Sequence, residues 1–480
     1  VKLKNADEYI DSLRKLDRKI NLLGEKVQDV TSHKVTMPHV YCAAMTYELG
    51  NIPEFEPLLY ATSHLTGKKI SRFTHIHQST EDLVKKVKMM RLLGQKTGAC
   101  FQRCVGFDGI NAVYSVTYEI DKKYGTNYHD RFKEYLKYIQ EENLMVTGAM
   151  TDAKGDRSLR PAEQKNRDVY LHIVEKKKNG IIVRGAKLHQ TGSANSHEIL
   201  VMPTLSMRED EKDFSVSFAI PVTTKGLKFI FGRQMNDSRR LEGCSIDLGS
   251  PYGAVGGECM IVFDDVFVPE ERVFMAGENE FTGVLVDRFA SAHRCNYGAC
   301  KVGLADVLIG ATALVAEYLN IDRASHVKDK LAEMIHLTET LHSSALACAY
   351  EGTRTPSGAY IVNPLYANVT KLNVTRYLYE IARLSHDIAG GFVATLPSEK
   401  DLTVEGVGNE ILKYLTPRTD VPPENRIRIG RLIENLTGPT SLIEAMHGAG
   451  SPQAQKVMIQ KLGGLEYRKE LARTLAGIKK

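Results

Sequence analysis

The apolar residues of this chain change their period twice, and each change marks where one kind of secondary structure must give way to another. Up to about residue 140 they recur at helical spacing. The stretch "STEDLVKKVKMMRLLGQKTGACFQRCVG" opens with Ser79 as an N-cap and Asp82 three positions on, a capping box ahead of a periodic run. From about 141 to 280 the period is two. There "YLHIVEKKKNGIIVRGAKLH" sets an Asn179-Gly180 hairpin turn between β-branched runs, with lysines keeping the tip in water, and "FSVSFAIPV", "LKFIFGR" and "CMIVFDDVFVP" read as further strands. After about 281 the chain is helical again, interrupted at Gly390-Gly391 and at "HGAGSP" (447–452). A chain of 480 residues is too long for one ordinary core. The order therefore predicts an α+β protein with an N-terminal helical domain over 1–140, a middle β-barrel-like domain over 141–280 and a C-terminal helical bundle over 281–480.

Charge and composition exclude several classes. A net charge of +5 spread over this length makes no concentrated basic face, so nucleic acid is not an expected partner. The charged N-terminus lacks the apolar run of a signal peptide, and no stretch of about 18 uninterrupted apolar residues appears, so no membrane is expected and a cytoplasmic protein is. In that compartment the eight cysteines are expected as free thiols, and only Cys100/Cys104 and Cys295/Cys300 lie close together. No dinucleotide fingerprint, Walker A loop, H-E-x-x-H or G-x-S-x-G is present.

One helical segment breaks the usual rule for a packed face. In "RFASAHRCNYGACKVG" (288–303), His293, Tyr297, Cys300 and Lys301 stand at i, i+4, i+7 and i+8, so all four project from one side. Such a stripe ordinarily carries Leu, Ile and Val. His293 and Cys300 are separated by roughly 10.5 Å of helical rise, long for two ligands of one ion and more comfortable across a cluster. Gly298 between them allows a local distortion. In "CFQRC", Cys100 and Cys104 at i and i+4 of a helix stack about 6 Å apart and can hold two corners of an iron–sulfur cluster or one small metal ion. Core packing and a structural zinc site are the competing readings. Zinc sites, however, favour short loop spacings in small domains, and here the two pairs lie on helices of a large chain.

With those residues the chain resembles the 4-hydroxyphenylacetate 3-hydroxylase family of flavoproteins, which have an acyl-CoA dehydrogenase-like fold, and within it the branch that dehydrates 4-hydroxybutyryl-CoA. The resemblance covers nearly the whole chain. It rests on "HQSTEDLVKKVKMMRLLGQKTGACFQRCVG", "YEIDKKYGTNYH", "GAMTDAKGDR", "GAKLHQTGSANSHE", "HRCNYGACKVG", "ASHVKDKL", "DIAGG" and "MHGAGSPQAQ", and is poorest from about 399 to 425. It implies dehydration of 4-hydroxybutyryl-CoA to crotonyl-CoA, with isomerisation of vinylacetyl-CoA, by a homotetramer (a dimer of dimers) carrying FAD and a [4Fe–4S] cluster. No carbonyl acidifies the C3 proton, and acid–base catalysis worth about 10²–10⁴-fold is too small for its removal. The implied mechanism is therefore radical, with one electron lent to FAD and returned.

The resemblance also implies roles. Cys100, Cys104, His293 and Cys300 match the cluster ligands, while Cys295 falls outside the pattern and reads as packing. Met150, Thr151, Lys154, Asp156 and Arg157 of "MTDAKGDR", His189, Gln190, Thr191 and Ser193 of "HQTGS", and Ala389, Gly390 and Gly391 of "DIAGG" match FAD-binding segments. Glu444 and Glu258 match glutamates of the active site. His293 is a candidate base for C2 as well as a ligand, though not both at once: either it leaves iron when substrate binds, or another group is the base. Tyr297, one turn on, is a candidate hydrogen-bond donor near the substrate, and Lys301 a candidate either to stabilise developing negative charge or to tune a nearby acid. Lys85, Lys86, Lys88 and Arg91 read as a solvated helix face, and His75, His77 and Gln78 as outer neighbours of the cluster helix. The alternative within the family is a cluster-free aromatic hydroxylase using reduced FAD and O₂.

Overall fold

The alternating middle segment closes into two sheets in a computed structural model that describes residues 3–250, 252–253 and 256–478. The larger has six strands, in the order Glu25–Val27, Ile20–Leu22, Leu227–Phe231, Glu258–Pro269, Gly180–Thr191, His172–Lys177. Its pairings are antiparallel except that of Ile20–Leu22 with Leu227–Phe231. The smaller sheet orders Val273–Ala276, Val216–Pro221, Glu198–Val201 and Val146–Ala149, with the last two parallel. Period-two burial follows along Gly180–Thr191: Ile181 and Val183 turn into a core shared with Phe229, Ile261 and Phe263.

Two local expectations shift. The first 140 residues are not wholly helical, because Ile20–Leu22 and Glu25–Val27 extend the large sheet and Tyr60–Thr62 pairs with Lys69–Ser71. Strands of three residues are too short for a period to register in sequence. In the lysine-rich hairpin, Lys177 pairs with Gly180, so the two loop residues are Lys178 and Asn179, one position earlier than Asn179-Gly180.

The helix Thr80–Thr97 starts as expected, with the Ser79 hydroxyl accepting from the Asp82 N–H at 3.2 Å. The Asp82 carboxylate does not close the box on Ser79. It accepts from the Gln78 N–H at 2.9 Å and pairs with Arg72 and His75. The helix ends at Gly98, whose φ of +56° is the left-handed cap that glycine adopts without a Cβ clash. The chain then runs irregularly through Gln102, at φ +67°, and the next helix, Cys104–Tyr124, begins at Cys104 itself. Cys100 and Cys104 therefore do not share a helix: one sits in the connecting loop and the other at the first position of the following helix.

The C-terminal half is built around Glu280–Tyr318, a continuous helix of 39 residues. It packs against Thr80–Thr97, Cys104–Tyr124, Ser325–Tyr350, Pro364–Ala389 and Pro423–Thr437. By length and composition it is apolar enough to cross a membrane, with a mean hydropathy of 1.7 in one window, but 61% of that window is buried inside the protein. A helix covered on most sides has no reason to be amphipathic. Gly298 does not distort it. A Cβ there would lie 2.2 Å from Thr370 Cγ2 and 3.0 Å from Ala345 Cβ, so this glycine admits the neighbouring helices instead.

A second close approach sets where the thiols lie. A Cβ on Gly303 would lie 2.3 Å from the Arg91 carbonyl, and one on Gly94 would lie 2.5 Å from the Cys300 carbonyl. The helices Thr80–Thr97 and Glu280–Tyr318 thus cross backbone to backbone, and the loop carrying Cys100 leaves the first of them beside Cys300. Gly303→Ala should force the two apart and cost about 1–3 kcal/mol, as overpacking in a core does. Thermal unfolding measures this, and an unchanged midpoint would mean the crossing tolerates a methyl group.

Candidate active site

Cys100, Cys104, His293, Tyr297, Cys300, Lys301 and Glu444 all line one enclosed cavity, together with Thr191 and Asn296. The polar stripe of the long helix forms one wall, the loop 99–103 and the start of Cys104–Tyr124 another, and the helix Pro439–His447 a third. Cys295 does not line it. That residue is buried, with its thiol 3.6 Å from the Ala345 carbonyl.

The three thiols sit where a charge is costly. Burial pushes Cys300 up to about 11, and pushes Cys100 and Cys104 well above the ordinary cysteine range, with Glu444 and the neighbouring thiols adding to the effect. Left to themselves they hold their protons at neutral pH. A cation entering the cavity must displace those protons, so its binding strengthens as pH rises.

His293 is oriented from behind. Its Nδ1 lies 2.8 Å from Asp108 Oδ2, and the same oxygen accepts from Asn296 Nδ2 at 2.6 Å. Asp108 is fully buried, and its other oxygen pairs with Lys86. With Nδ1–H committed to a carboxylate, Nε2 carries the free lone pair. Phe289 stacks on the imidazole and Tyr297 meets it edge-on, at 5.6 and 5.4 Å between ring centroids. Lys86 therefore corrects the reading of the basic run as a solvated face. Lys88 is exposed and Arg91 pairs with Asp306 and Glu339, but Lys86 points inward and is only 2% exposed. Among the outer candidates, His77 is held by Asn111 at 2.7 Å and stacks on Phe107, His75 pairs with Asp82, and the Gln78 amide donates to the Ile76 carbonyl at 2.9 Å; none of the three reaches the cavity.

On the opposite side Lys301 Nζ donates to Glu444 Oε2 at 2.5 Å. Burial alone would pull the Lys301 ammonium down, but Glu444 and the nearby thiols outweigh it and lift it above the usual lysine range. Glu258 joins through Thr191, whose hydroxyl donates to Glu258 Oε1 at 3.1 Å. Burial, then Glu444, raises the Glu258 carboxyl to about 7.

Thr191 also lies within the segment matched to the flavin. Thr151 O accepts the Leu188 N–H at 2.8 Å and Gln190 Nε2 at 3.3 Å, so the loops 150–157 and 189–193 lie against each other. Met150 O accepts from Lys187 at 2.7 Å, and Lys154 and His189 both have positive φ, +72° and +60°. Asp156 and Arg157 are exposed, with the Asp156 carboxylate accepting from Ser158. Ser193 is turned inward, its hydroxyl donating to the Gln190 carbonyl. Gly390 and Gly391 lie elsewhere, in an open cleft of about 700 Å³ shared with Arg239, Asn435 and Ser441, while Ala389 is buried at the helix end beneath them.

Sequence reasoning passed over Asp108, Asn296 and Lys371. The last is fully buried on Pro364–Ala389, with its Nζ 4.7 Å from the Tyr297 ring centroid. Burial, then Lys301 and Arg294, lowers it to about 7. The signal was available in each case. Asp108 is four residues after Cys104, Asn296 three after His293, and Lys371 falls in the apolar stripe with Val374 and Leu378.

The chain matches the family models for the N-terminal and the C-terminal part of 4-hydroxyphenylacetate 3-hydroxylase, over residues 5–275 and 282–477, and it belongs to that family. It is 52% identical over 490 aligned positions to the 4-hydroxybutyryl-CoA dehydratase/vinylacetyl-CoA-Δ-isomerase of Clostridium aminobutyricum, covering 99% of this chain and 100% of that protein. An oxygen-tolerant archaeal 4-hydroxybutyryl-CoA dehydratase from N. maritimus superposes with a TM-score of 0.97 at 48% identity, over 100% of this chain and 96% of that one. Two further structures share the fold alone. The oxygenase component of 4-hydroxyphenylacetate 3-monooxygenase, solved with FAD, has a TM-score of 0.87 at 23% identity over 98% of each chain. A glutaryl-CoA dehydrogenase has 0.51 at 14%, over 93% of this chain and 96% of that one. The α+β, acyl-CoA dehydrogenase-like architecture expected from the sequence is the one observed.

A Cβ on Gly448 would lie 1.5 Å from the Tyr297 hydroxyl. Gly448→Ala should therefore displace the ring and cost about 1–3 kcal/mol of stability. Adding Tyr297→Phe, which removes the atom nearest the new methyl, should recover part of the loss. Equal thermal midpoints for Gly448→Ala and the unaltered chain would contradict this packing.

Proposed function

We propose that this protein dehydrates 4-hydroxybutyryl-CoA to crotonyl-CoA and isomerises vinylacetyl-CoA to the same product. The observation that carries the reading is the convergence of three thiols and an imidazole nitrogen on one buried cavity with the Lys301–Glu444 pair, in a chain 52% identical end to end to an enzyme of that name. Three soft thiols and one nitrogen fit a [4Fe–4S] cluster held by Cys100, Cys104, Cys300 and His293 Nε2. The loops 150–157 and 189–193 would take the isoalloxazine and ribityl part of FAD, while Gly390 and Gly391 of the open cleft would take the ADP half of a FAD bound partly by a neighbouring subunit, in keeping with the family member solved with that cofactor. When bound, the flavin supplies one-electron chemistry and the cluster a Lewis-acidic iron.

The chain's own residues divide the proton work. Asp108 fixes the His293 tautomer and stabilises the imidazolium if Nε2 takes a proton from C2; that lone pair serves a metal or a proton, never both together. Glu444 is placed to move a proton beside the departing hydroxyl, with Lys301 orienting its carboxylate. Glu258 has a protonated fraction at neutral pH and can donate. The Tyr297 hydroxyl reaches the cavity from the long helix and can donate to an acyl oxygen. Assembly as a homotetramer in the cytoplasm belongs to the same reading. In its support, the helix Leu465–Leu475 buries none of its residues and exposes Tyr467 and Leu475.

Iron, acid-labile sulfide and flavin per chain on anaerobically purified protein test the reading: about four irons with matching sulfide and one FAD are expected. Flavin without iron would leave the cluster-free hydroxylase. Cys300→Ala should lose iron and dehydration together. Because the thiols are protonated at rest, anaerobic iron and sulfide uptake by the apoprotein should increase from about pH 7 to about pH 9; uptake independent of pH would argue against buried thiol ligands. Glu444→Gln should keep both cofactors and slow dehydration by about 10²–10⁴-fold, which initial rates at saturating substrate would measure.

A further inference from the structure

Glu444 is carried by a short helix with chain-turning residues at both ends. Pro439–His447 follows Gly438, and beyond it come Gly448, Ala449 at φ +58° and Gly450 at φ +97°. The last carbonyls of such a helix have no partner of their own. Here side chains from other elements take them. Lys371 Nζ donates to the Ala445 carbonyl at 2.7 Å and to the Met446 carbonyl at 3.2 Å. Arg294 Nε donates to the Ala449 carbonyl at 3.0 Å while its Nη1 is anchored on Asn368 at 2.8 Å. Gln455 Nε2 donates to the Gly450 carbonyl at 3.0 Å.

Neither Lys371 nor Arg294 makes an ion pair among the described residues, although both are buried. A buried amine without a carboxylate is costly, and a methionine would fill the same volume at less cost. What Lys371 has instead is the negative end of a helix dipole and two carbonyls one and two residues beyond Glu444. It also rests against the Tyr297 ring. Holding carbonyls 445 and 446 fixes the backbone from which the Glu444 carboxylate reaches Lys301.

We propose that Lys371 is a positioning residue for proton transfer by Glu444, gripping the end of its helix while Arg294 holds the loop beyond. The proposal rests on Glu444 being the group that moves the proton beside the departing hydroxyl. The test is a double-mutant cycle on anaerobically purified holoenzyme with Lys371→Met, Glu444→Gln and the pair. It reads kcat and KM for 4-hydroxybutyryl-CoA, FAD and iron per chain, and the thermal midpoint. Lys371→Met is expected to keep both cofactors, leave KM within about threefold and lower kcat by about 10–10²-fold, the cost of a misplaced catalytic group. In the Glu444→Gln background it should cost less than about threefold more, because residues acting through one group are not additive. Lys371→Gln, which keeps an N–H donor, should recover part of the rate.

An unchanged kcat for Lys371→Met, or a pair that loses the product of the two single factors, overturns the proposal alone. Full rate in Glu444→Gln overturns the proton-transfer reading and the proposal with it. If Lys371→Met does not fold, the cycle is run with Lys371→Gln. Failure of both to fold assigns Lys371 a structural role and overturns the proposal.

Discussion

Where Gly94 meets Gly303, two helices approach so closely that a Cβ on either would strike the backbone of the other. Everything in the buried cavity depends on that approach. The helix Thr80–Thr97 delivers its C-terminal loop, and with it Cys100, to the flank of the long helix at Cys300, and the next helix begins at Cys104 on the same side. Any larger residue at the crossing would hold the two thiol-bearing elements apart. The grouping of the thiols is thus a consequence of backbone packing, and the cysteines themselves do not create it.

Placing a polar stripe on a helix that most of the bundle surrounds raises the question of how its charges are borne. Each is answered locally. Asp108 gathers His293, Asn296 and Lys86 on its two oxygens. Lys301 is answered by Glu444. Lys371, on the neighbouring helix Pro364–Ala389, is answered by helix-end carbonyls. Breaking a buried pair leaves an uncompensated charge and costs several kcal/mol, about 3–5 by general experience. These side chains are therefore held firmly enough to act as a preorganised site. The thiols are the exception: burial raises all three above the ordinary cysteine range, which favours their neutral form.

The same architecture serves proteins with different chemistry. A monooxygenase component solved with FAD overlays nearly the full chain at 23% identity, and a glutaryl-CoA dehydrogenase shares the outline at 14%. Fold alone leaves the reaction open. In this chain Thr191 joins two parts of the structure: it lies in the loop 189–193, it lines the thiol cavity, and its hydroxyl holds Glu258.

Much of this was legible in the amino-acid sequence, because periodicity is a local property. Spacing at i, i+4, i+7 and i+8 places His293, Tyr297, Cys300 and Lys301 on one face wherever the helix lies, and alternation marks the main strands. The same locality explains the errors. Cys100 and Cys104 look like helix neighbours until Gly98 ends the helix between the periodic run and the thiols. Lys86 looks solvated until Asp108 faces it from another helix. The sequence by itself determined the order of elements, the polar stripe and the thiols available. Only the tertiary structure decided that Glu444 meets Lys301 across 143 positions of chain, and that Lys371 holds the end of its helix. No period records such pairings, because they arise from which helices can approach, and that is set by glycines whose partners lie on other helices.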